Sequence, residues 1–440
     1  MFKHITVGLL KPVAVAVLYS ALCAVSSISV AVEALDNEFN PSLQTNDVSL
    51  LQAGVVIDSR NLDQYRQWLD SPIAALIEQG ELTIPLGESL VIPVHPNYRQ
   101  TTQQQLGATT IGAEPGELNG YAGGRPFVSL ATDDPQAGIK AAWNMRYGYA
   151  PDETETEAFH WQYRDMKKDS IERTLEMYGA ILRYKYRHTN EPLPELENNP
   201  SNLFTALYLQ VKAPQDIRNT QLLIHRNEVD SATEQAWMYM SSQRRVRRLA
   251  TGQKTDAFLG SDIMIEDFLG YNGRIMDMDW AYLGTDELLV PLYGHSQLDG
   301  WEQPADDSGH QLIEFTGAGH CFPKVTWQLR KVHHLEATPK DPNHPLSKRH
   351  YILDAATYAP VLGRIYDRGG KLWKLSVIAA SSSELHAPTN KDWQGLITEA
   401  VGMVDIQAQH CTTLQLKSRR APEPLKHRSF TTQHMRSQGR

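Results

Sequence analysis

From Phe159 onward the sequence alternates with a period of two, and nothing else in the chain constrains its fold as strongly. β-Branched and aromatic residues recur between turn signals spaced roughly 8–15 residues apart, the pattern of successive antiparallel strands. In residues 181–188, Leu182, Tyr184 and Tyr186 share one face while Arg183, Lys185 and Arg187 share the other. Residues 203–211 carry Leu203, Leu207, Leu209 and Val211 on one side and Phe204, Ala206 and Tyr208 on the other. A strand apolar on both faces is covered on both, by core, by helices or by a ligand. Further strands are predicted at 220–226, 235–240, 244–249, 287–293, 325–335, 348–353, 361–366 and 371–378, with a bulge near Arg330-Lys331 where the apolar phase shifts. About ten long strands from one chain make a sheet wide enough to curl. The expected class is mainly β (α+β), built on one large, strongly curved, open antiparallel sheet.

Ahead of the sheet the signals are helical. Asn61 is placed to cap a helix over 62–69, Ser71-Pro72 to open a second one stopped by Gly80, and 98–106 to form a short third. Leu62, Tyr65, Trp68, Leu69, Leu76 and Ile77 then form one apolar stripe. The Gly/Pro-rich stretch 107–126 reads as an ordered loop or linker.

At the N-terminus, Lys3 and Lys11 precede an uncharged run over 12–32 that ends in small residues. This predicts a signal peptide, residues 1–31, cleaved after Ala31. Residues 32–47 read as a flexible segment, 48–411 as one domain with a helical part at 60–106, and 412–440 as a basic disordered tail. The formal charge of −9 leaves no global basic field, so a nucleic-acid role is not expected. After cleavage two cysteines remain, Cys321 and Cys411, in a compartment that permits disulfides; they either pair or stay as thiols.

The catalytic signals do not complete themselves. Gly294-His295-Ser296-Gln297-Leu298 follows a predicted strand as a nucleophile elbow does, but it lacks the final glycine and the following helix. His333, His334, His344 and His350 read as a solvated strand edge, because adjacent strand residues point to opposite faces; no metal is expected there or elsewhere. Arg244-Arg245-Val246-Arg247-Arg248 reads as surface salt bridges or a docking face. Asp262, Glu266 and Asp267 read as turn and capping residues.

Several blocks resemble a known family, domain-of-unknown-function family 1329 of Gram-negative bacteria. They are Val56-Ile57-Asp58 with Asn61, the run 119–127 (Asn-Gly-Tyr-Ala-Gly-Gly-Arg-Pro-Phe), Trp143-Asn144-Met145-Arg146-Tyr147, Trp237-Met238-Tyr239 with the arginines at 244–248, and Gly260-Ser261-Asp262 leading to Asn272-Gly273. The likeness spans roughly residues 48–405 and departs at Pro291-Leu292-Tyr293-Gly294, where Pro-Tyr-Asn is expected. The last blocks are also similar to outer-membrane lipoprotein-sorting proteins of the LolA/LolB type. That resemblance implies a half-barrel sheet with helices on its concave side, periplasmic residence, and work beside an inner-membrane exporter of the resistance-nodulation-division class and an outer-membrane protein. It implies no catalytic residue.

The expected function is that of a carrier or chaperone for a lipid, acyl chain or lipoprotein, with no covalent catalysis and no cofactor. Candidate wall residues are Leu182, Tyr184, Tyr186, Leu207, Leu209, Trp237, Tyr239, Trp327 and Trp373, and candidate lid residues are Tyr65, Trp68, Leu69 and Leu76. The alternative is a cell-envelope interaction protein whose sheet is filled by its own side chains. A ligand-sized cavity discriminates the two.

Overall fold

The computed structural model describes residues 35–45, 49–297 and 305–439, so the predicted signal peptide lies outside the described residues. Alternation builds a sheet of fourteen strands. Numbered along the chain they are β1 (Glu153–Asp165), β2 (Ser170–Arg183), β3 (Leu203–Ala213), β4 (Gln221–Asn227), β5 (Gln235–Met240), β6 (Arg245–Arg248), β7 (Met278–Val290), β8 (Leu292–Tyr293), β9 (Gln328–Pro339), β10 (Leu346–Asp354), β11 (Pro360–Asp367), β12 (Leu372–Ser382), β13 (Leu396–Asp405) and β14 (His410–Arg420). Their order in space is β6-β5-β4-β3-β2-β1-β14-β13-β12-β11-β10-β9-β7. These pairs are all antiparallel, while β8 runs parallel beside β12. The sheet is open, and its edges β6 and β7 are consecutive in sequence, joined by the crossover 249–277. In the middle, the first strand pairs with the last, Thr154 opposite Arg420 and Asp165 opposite His410.

Both faces of the first half are covered. On one, Leu175, Met177, Leu207, Leu209 and Val211 pack with Phe258, Ile263 and Phe268 of the crossover. On the other, Ala180, Leu182, Ala206 and Tyr208 pack under Phe430 and Met435. The second half buries Leu289, Val332, Ile352, Val377 and Ala400 against Ile57, Leu62, Trp68 and Ile73. Helices α1 (Ser71–Glu78), α2 (Pro96–Gln104), α3 (Ala137–Arg146) and α4 (Thr432–Gln438) accompany the sheet. Two glycines allow close approach. A Cβ at Gly138 of α3 would meet the Trp280 carbonyl oxygen of β7 at 2.1 Å, and one at Gly402 of β13 would meet that of Cys321 at 2.2 Å. Cys321 is joined to Cys411 of β14 by a disulfide.

Several expectations need correction. The segment 412–440 is no disordered tail: its start is the central strand β14, and Phe430 and Met435 are buried. Its seven cations mask the strand-period apolar pair Leu414 and Leu416. Residues 35–45 are not loose either, since Leu35 and Phe39 are buried. Pairing runs unbroken through Arg330-Lys331, and the irregularity falls instead on the partner strand between Tyr282 and Gly284. The helix over 62–69 is two 3-10 turns, and the Asn61 side chain bonds Asp58 N rather than capping. The four histidines do not form a solvated edge, because β9 and β10 are interior strands: His333 and His344 are buried, and His334 Nδ1 lies 2.9 Å from His350 Nε2. The arginines at 244–248 do lie on a free edge, in β6, where charge deters edge-to-edge pairing.

Candidate functional site

A cavity of about 400 Å³ lies on the face where the crossover packs. Its wall draws on seven neighbouring strands, from Leu207 and Leu209 of β3 through Ile181, Trp161, Leu414, Met403 and Ile378 to Val361 of β11. Seven strands at about 4.8 Å each would span roughly 29 Å if laid flat, and all seven contribute side chains to this one hollow. Ile263, Phe268 and Leu269 of the crossover close one side, and Phe39, Val94 and Tyr98 close another. The size falls in the range of small-molecule sites, and the lining is mostly apolar.

The crossover is pinned by buried charge. Asp262 Oδ2 accepts from Thr412 Oγ1 at 2.8 Å and lies 2.8 Å from His410 Nδ1. Arg349 lies 2.9 Å from Glu266 and donates to Asp267 at 3.0 Å, while His344 Nε2 lies 3.1 Å from Glu266. Asp267 also accepts from Met264 N, the capping role expected of it. Just past these anchors Leu269 is held at φ 54°, a left-handed conformation that a branched side chain rarely adopts, with its side chain half-exposed at the rim.

The two charged residues on the wall are already paired. Asp267 is held by Arg349, and Arg125 pairs with Glu38 at 3.0 Å while its guanidinium sits 4.4 Å from the Phe39 ring and 4.8 Å from Tyr358. Burial disfavours the Arg125 charge, but Glu38 beside it raises the guanidinium pKa above its ordinary value. Burial likewise raises the Tyr98 phenol, whose hydroxyl donates to Tyr147 O at 2.9 Å. A second cavity of about 170 Å³ shares Met145, Gly148, Ala150, Thr154, Ile181 and Leu269 with the first and adds Arg146, Arg183 and Arg226. Arg146 is paired with Asp230 at 2.6 Å and Arg226 with Glu234 at 2.9 Å. Arg183 is held only loosely, 4.0 Å from Asp152 and 3.5 Å from two carbonyls.

Of the expected wall residues, the structure brings Leu207 and Leu209 to the cavity. Leu182, Tyr184, Trp237 and Tyr239 lie on the opposite face beneath the C-terminal segment, where the Tyr184 hydroxyl meets His427 Nδ1 at 2.9 Å and Tyr239 donates to Gly439 O. Tyr186 packs beside Tyr121, Tyr147 and Phe204, and Trp327 is in the core under the N-terminal turns. Trp373 bonds Asp405. Tyr65, Trp68, Leu69 and Leu76 do not cover the cavity; they pack against the core of the second half of the sheet. The crossover takes that place. The missed wall residues Phe159, Trp161, Leu414 and Leu416 carry a period-two signal in the sequence, but Phe39 and Tyr98 carry none.

No helix among the described residues is long and apolar enough to cross a membrane. Curated protein sequences yield no match. Among solved structures, one DUF1329 protein from Desulfovibrio piger is 14% identical, with a TM-score of 0.47 over 69% of this chain and 100% of its own. A domain from Vibrio parahaemolyticus, provisionally named as outer membrane lipoprotein-sorting, is 17% identical with a TM-score of 0.46 over 68% of this chain and 99% of its own. A LolA superfamily protein from Nitrosomonas europaea is 11% identical with a TM-score of 0.37 over 66% and 95%. The model of the family described as "Protein of unknown function (DUF1329)" matches residues 56–436, and the chain belongs to that family.

Proposed function

We propose that this protein is a periplasmic carrier or chaperone that sequesters a hydrophobic ligand, an acyl chain or a lipid, without covalent chemistry. The apolar cavity of about 400 Å³ carries the reading, because an interaction protein with a filled core has no use for it. Burial is the mechanism. At about 0.8 kcal/mol per methylene, a sixteen-carbon chain gains roughly 12 kcal/mol at most, less the cost of ordering it. The arginine-lined annex supports a polar or anionic end on that ligand, with Arg183 the guanidinium least committed to other partners. On this reading the chain acts after removal of its leader, between an inner-membrane exporter of the resistance-nodulation-division class and an outer-membrane protein.

Native mass spectrometry of protein purified from the periplasm, followed by lipid extraction, tests this. A stoichiometric apolar adduct is expected, and Leu209→Trp, which fills the cavity, should weaken uptake of a fluorescent fatty acid roughly tenfold or more while the unfolding temperature moves little. A clean apo mass together with no fatty-acid uptake by the wild type would shift the assignment to the envelope interaction protein.

A further inference from the structure

On the far side of β13 from the cavity, four buried side chains converge that the carrier reading does not use. Wall positions on β13 switch from even numbers, Leu396 and Thr398, to odd ones, Val401 and Met403. The switch is a bulge: Ala380 pairs with Thr398 and Ala379 with Ala400, leaving Glu399 without a partner on β12. Bulges of this kind re-aim a side chain, and this one sends Glu399 into the interior opposite the cavity.

There it meets His310, whose Nε2 lies 2.6 Å from Glu399 Oε2, and His386, whose Nε2 lies 3.0 Å from Oε1. The latter pair lacks hydrogen-bond geometry, and neither His386 Nε2 nor Glu399 Oε1 has another hydrogen-bond partner. His295, the histidine of the incomplete elbow, stacks on His386 at 4.4 Å and on His310 at 4.8 Å. One potential ligand atom from each of the four residues lies within 4.8 Å of the others. Four-coordinate zinc at about 2.0–2.2 Å per bond needs neighbouring ligand atoms roughly 3.4 Å apart, so side-chain rotation closes the gap. No described Lys or Arg forms an ion pair with Glu399.

We propose that His295, His310, His386 and Glu399 form a closed binding site for one divalent ion of the zinc class. Three imidazoles and a carboxylate match that ion in ligand type and number, and a fully enclosed set with no open position is structural rather than catalytic. Burial lowers all three imidazoles, to about 4, 3 and 2 for His295, His310 and His386, so they are neutral. His295 already accepts from Gln311 N through Nε2 at 3.1 Å and meets the Tyr293 hydroxyl through Nδ1 at 3.3 Å, so ligating an ion exchanges one of these bonds for a bond to the metal. Supporting contacts are in place. Asp306 accepts from His310 N and is paired with Lys417, fixing the loop that carries His310. Asn390 Nδ2 lies 3.2 Å from His386 Nδ1 and its Oδ1 has no partner, so reversing the amide supplies an acceptor for Nδ1–H, at the expense of the Nδ2 bond to Ser418 O. The ion would neutralise the buried carboxylate and tie His295, His310 and the segment 386–390 to β13.

The test uses the full mature protein, stripped with a chelator and titrated with Co(II) and then Zn(II). One equivalent should bind, giving the visible absorption of four-coordinate Co(II), bleached by Zn(II). Glu399→Gln and His386→Ala should each weaken binding roughly tenfold to a hundredfold. Crystals of the wild type soaked in zinc need no variant to fold, and their anomalous peak should fall between these four side chains. No uptake, or a peak elsewhere, overturns the site and leaves a protonated, hydrogen-bonded Glu399 in its place. Lipid uptake is a separate readout on the other face of the sheet, so failure of either proposal leaves the other standing.

Discussion

Glu266 is fully buried yet ionised. Burial pushes its pKa up, but the Arg349 guanidinium, with His344 and Lys254, brings it down to about 2. A carboxylate depressed in this way stabilises the fold above its ordinary pKa of 4.5, and that contribution is lost as pH falls toward about 2. Unfolding by urea at stepped pH should therefore show a loss on the order of 3 kcal/mol across that window, with Glu266→Gln flattening the dependence while lowering stability at neutral pH. The residue scale was also where sequence reading reached least far. Alternation separates Ile181 from Leu182 and Leu207 from Tyr208, but it carries no sign: nothing in the pattern tells which set faces the hollow. The aromatic candidates lie on strand patterns, yet Tyr184, Trp237 and Tyr239 form the packing beneath the C-terminal segment and Trp327 belongs to the core of the second half.

At the scale of elements, strands β3 to β6 and β9 to β12 were legible because their apolar residues alternate between turn signals, whereas the alternation over 181–188 runs past the end of β2 at Arg183 and Tyr186 sits at φ 57° outside any strand. β13 was not, since Glu399 and Gly402 interrupt its pattern, and β14 was hidden by Lys417, Arg419 and Arg420 at its end. The many cations and few apolar residues of 412–440 read as a loose tail, yet Met435 of α4 is buried and the Phe430 carbonyl before it lies 2.8 Å from His225 Nε2. Phe430→Ala should cost roughly 3–5 kcal/mol in chemical denaturation, a value typical of a buried aromatic. A disordered tail would give no change.

For the whole molecule, one antiparallel sheet was foreseen, and so was its need to curl; its closure in sequence was not. Thr154 and Arg420, at the start of the first strand and the end of the last, pair with each other, and the disulfide from Cys321 to Cys411 fastens the strand that completes this pairing. With 90 residues between the cysteines, the loop-entropy model gives roughly 4–5 kcal/mol of stabilisation. Cys321→Ser with Cys411→Ser should lower the urea midpoint accordingly, and adding reductant to the double variant should change nothing further.

The crossover 249–277 starts at one edge of the sheet and ends at the other, so it is built like the handle of a basket rather than the lid of a box. A handle has no free end to swing. While its anchors at Asp262, Glu266 and Asp267 hold, widening the hollow beneath Phe268 and Leu269 spreads the strands they grip, and that means unbending the sheet itself. On the carrier reading, the resistance a guest would meet on entry is the bending stiffness of the hydrogen-bonded strands, set by the whole molecule rather than by a hinge.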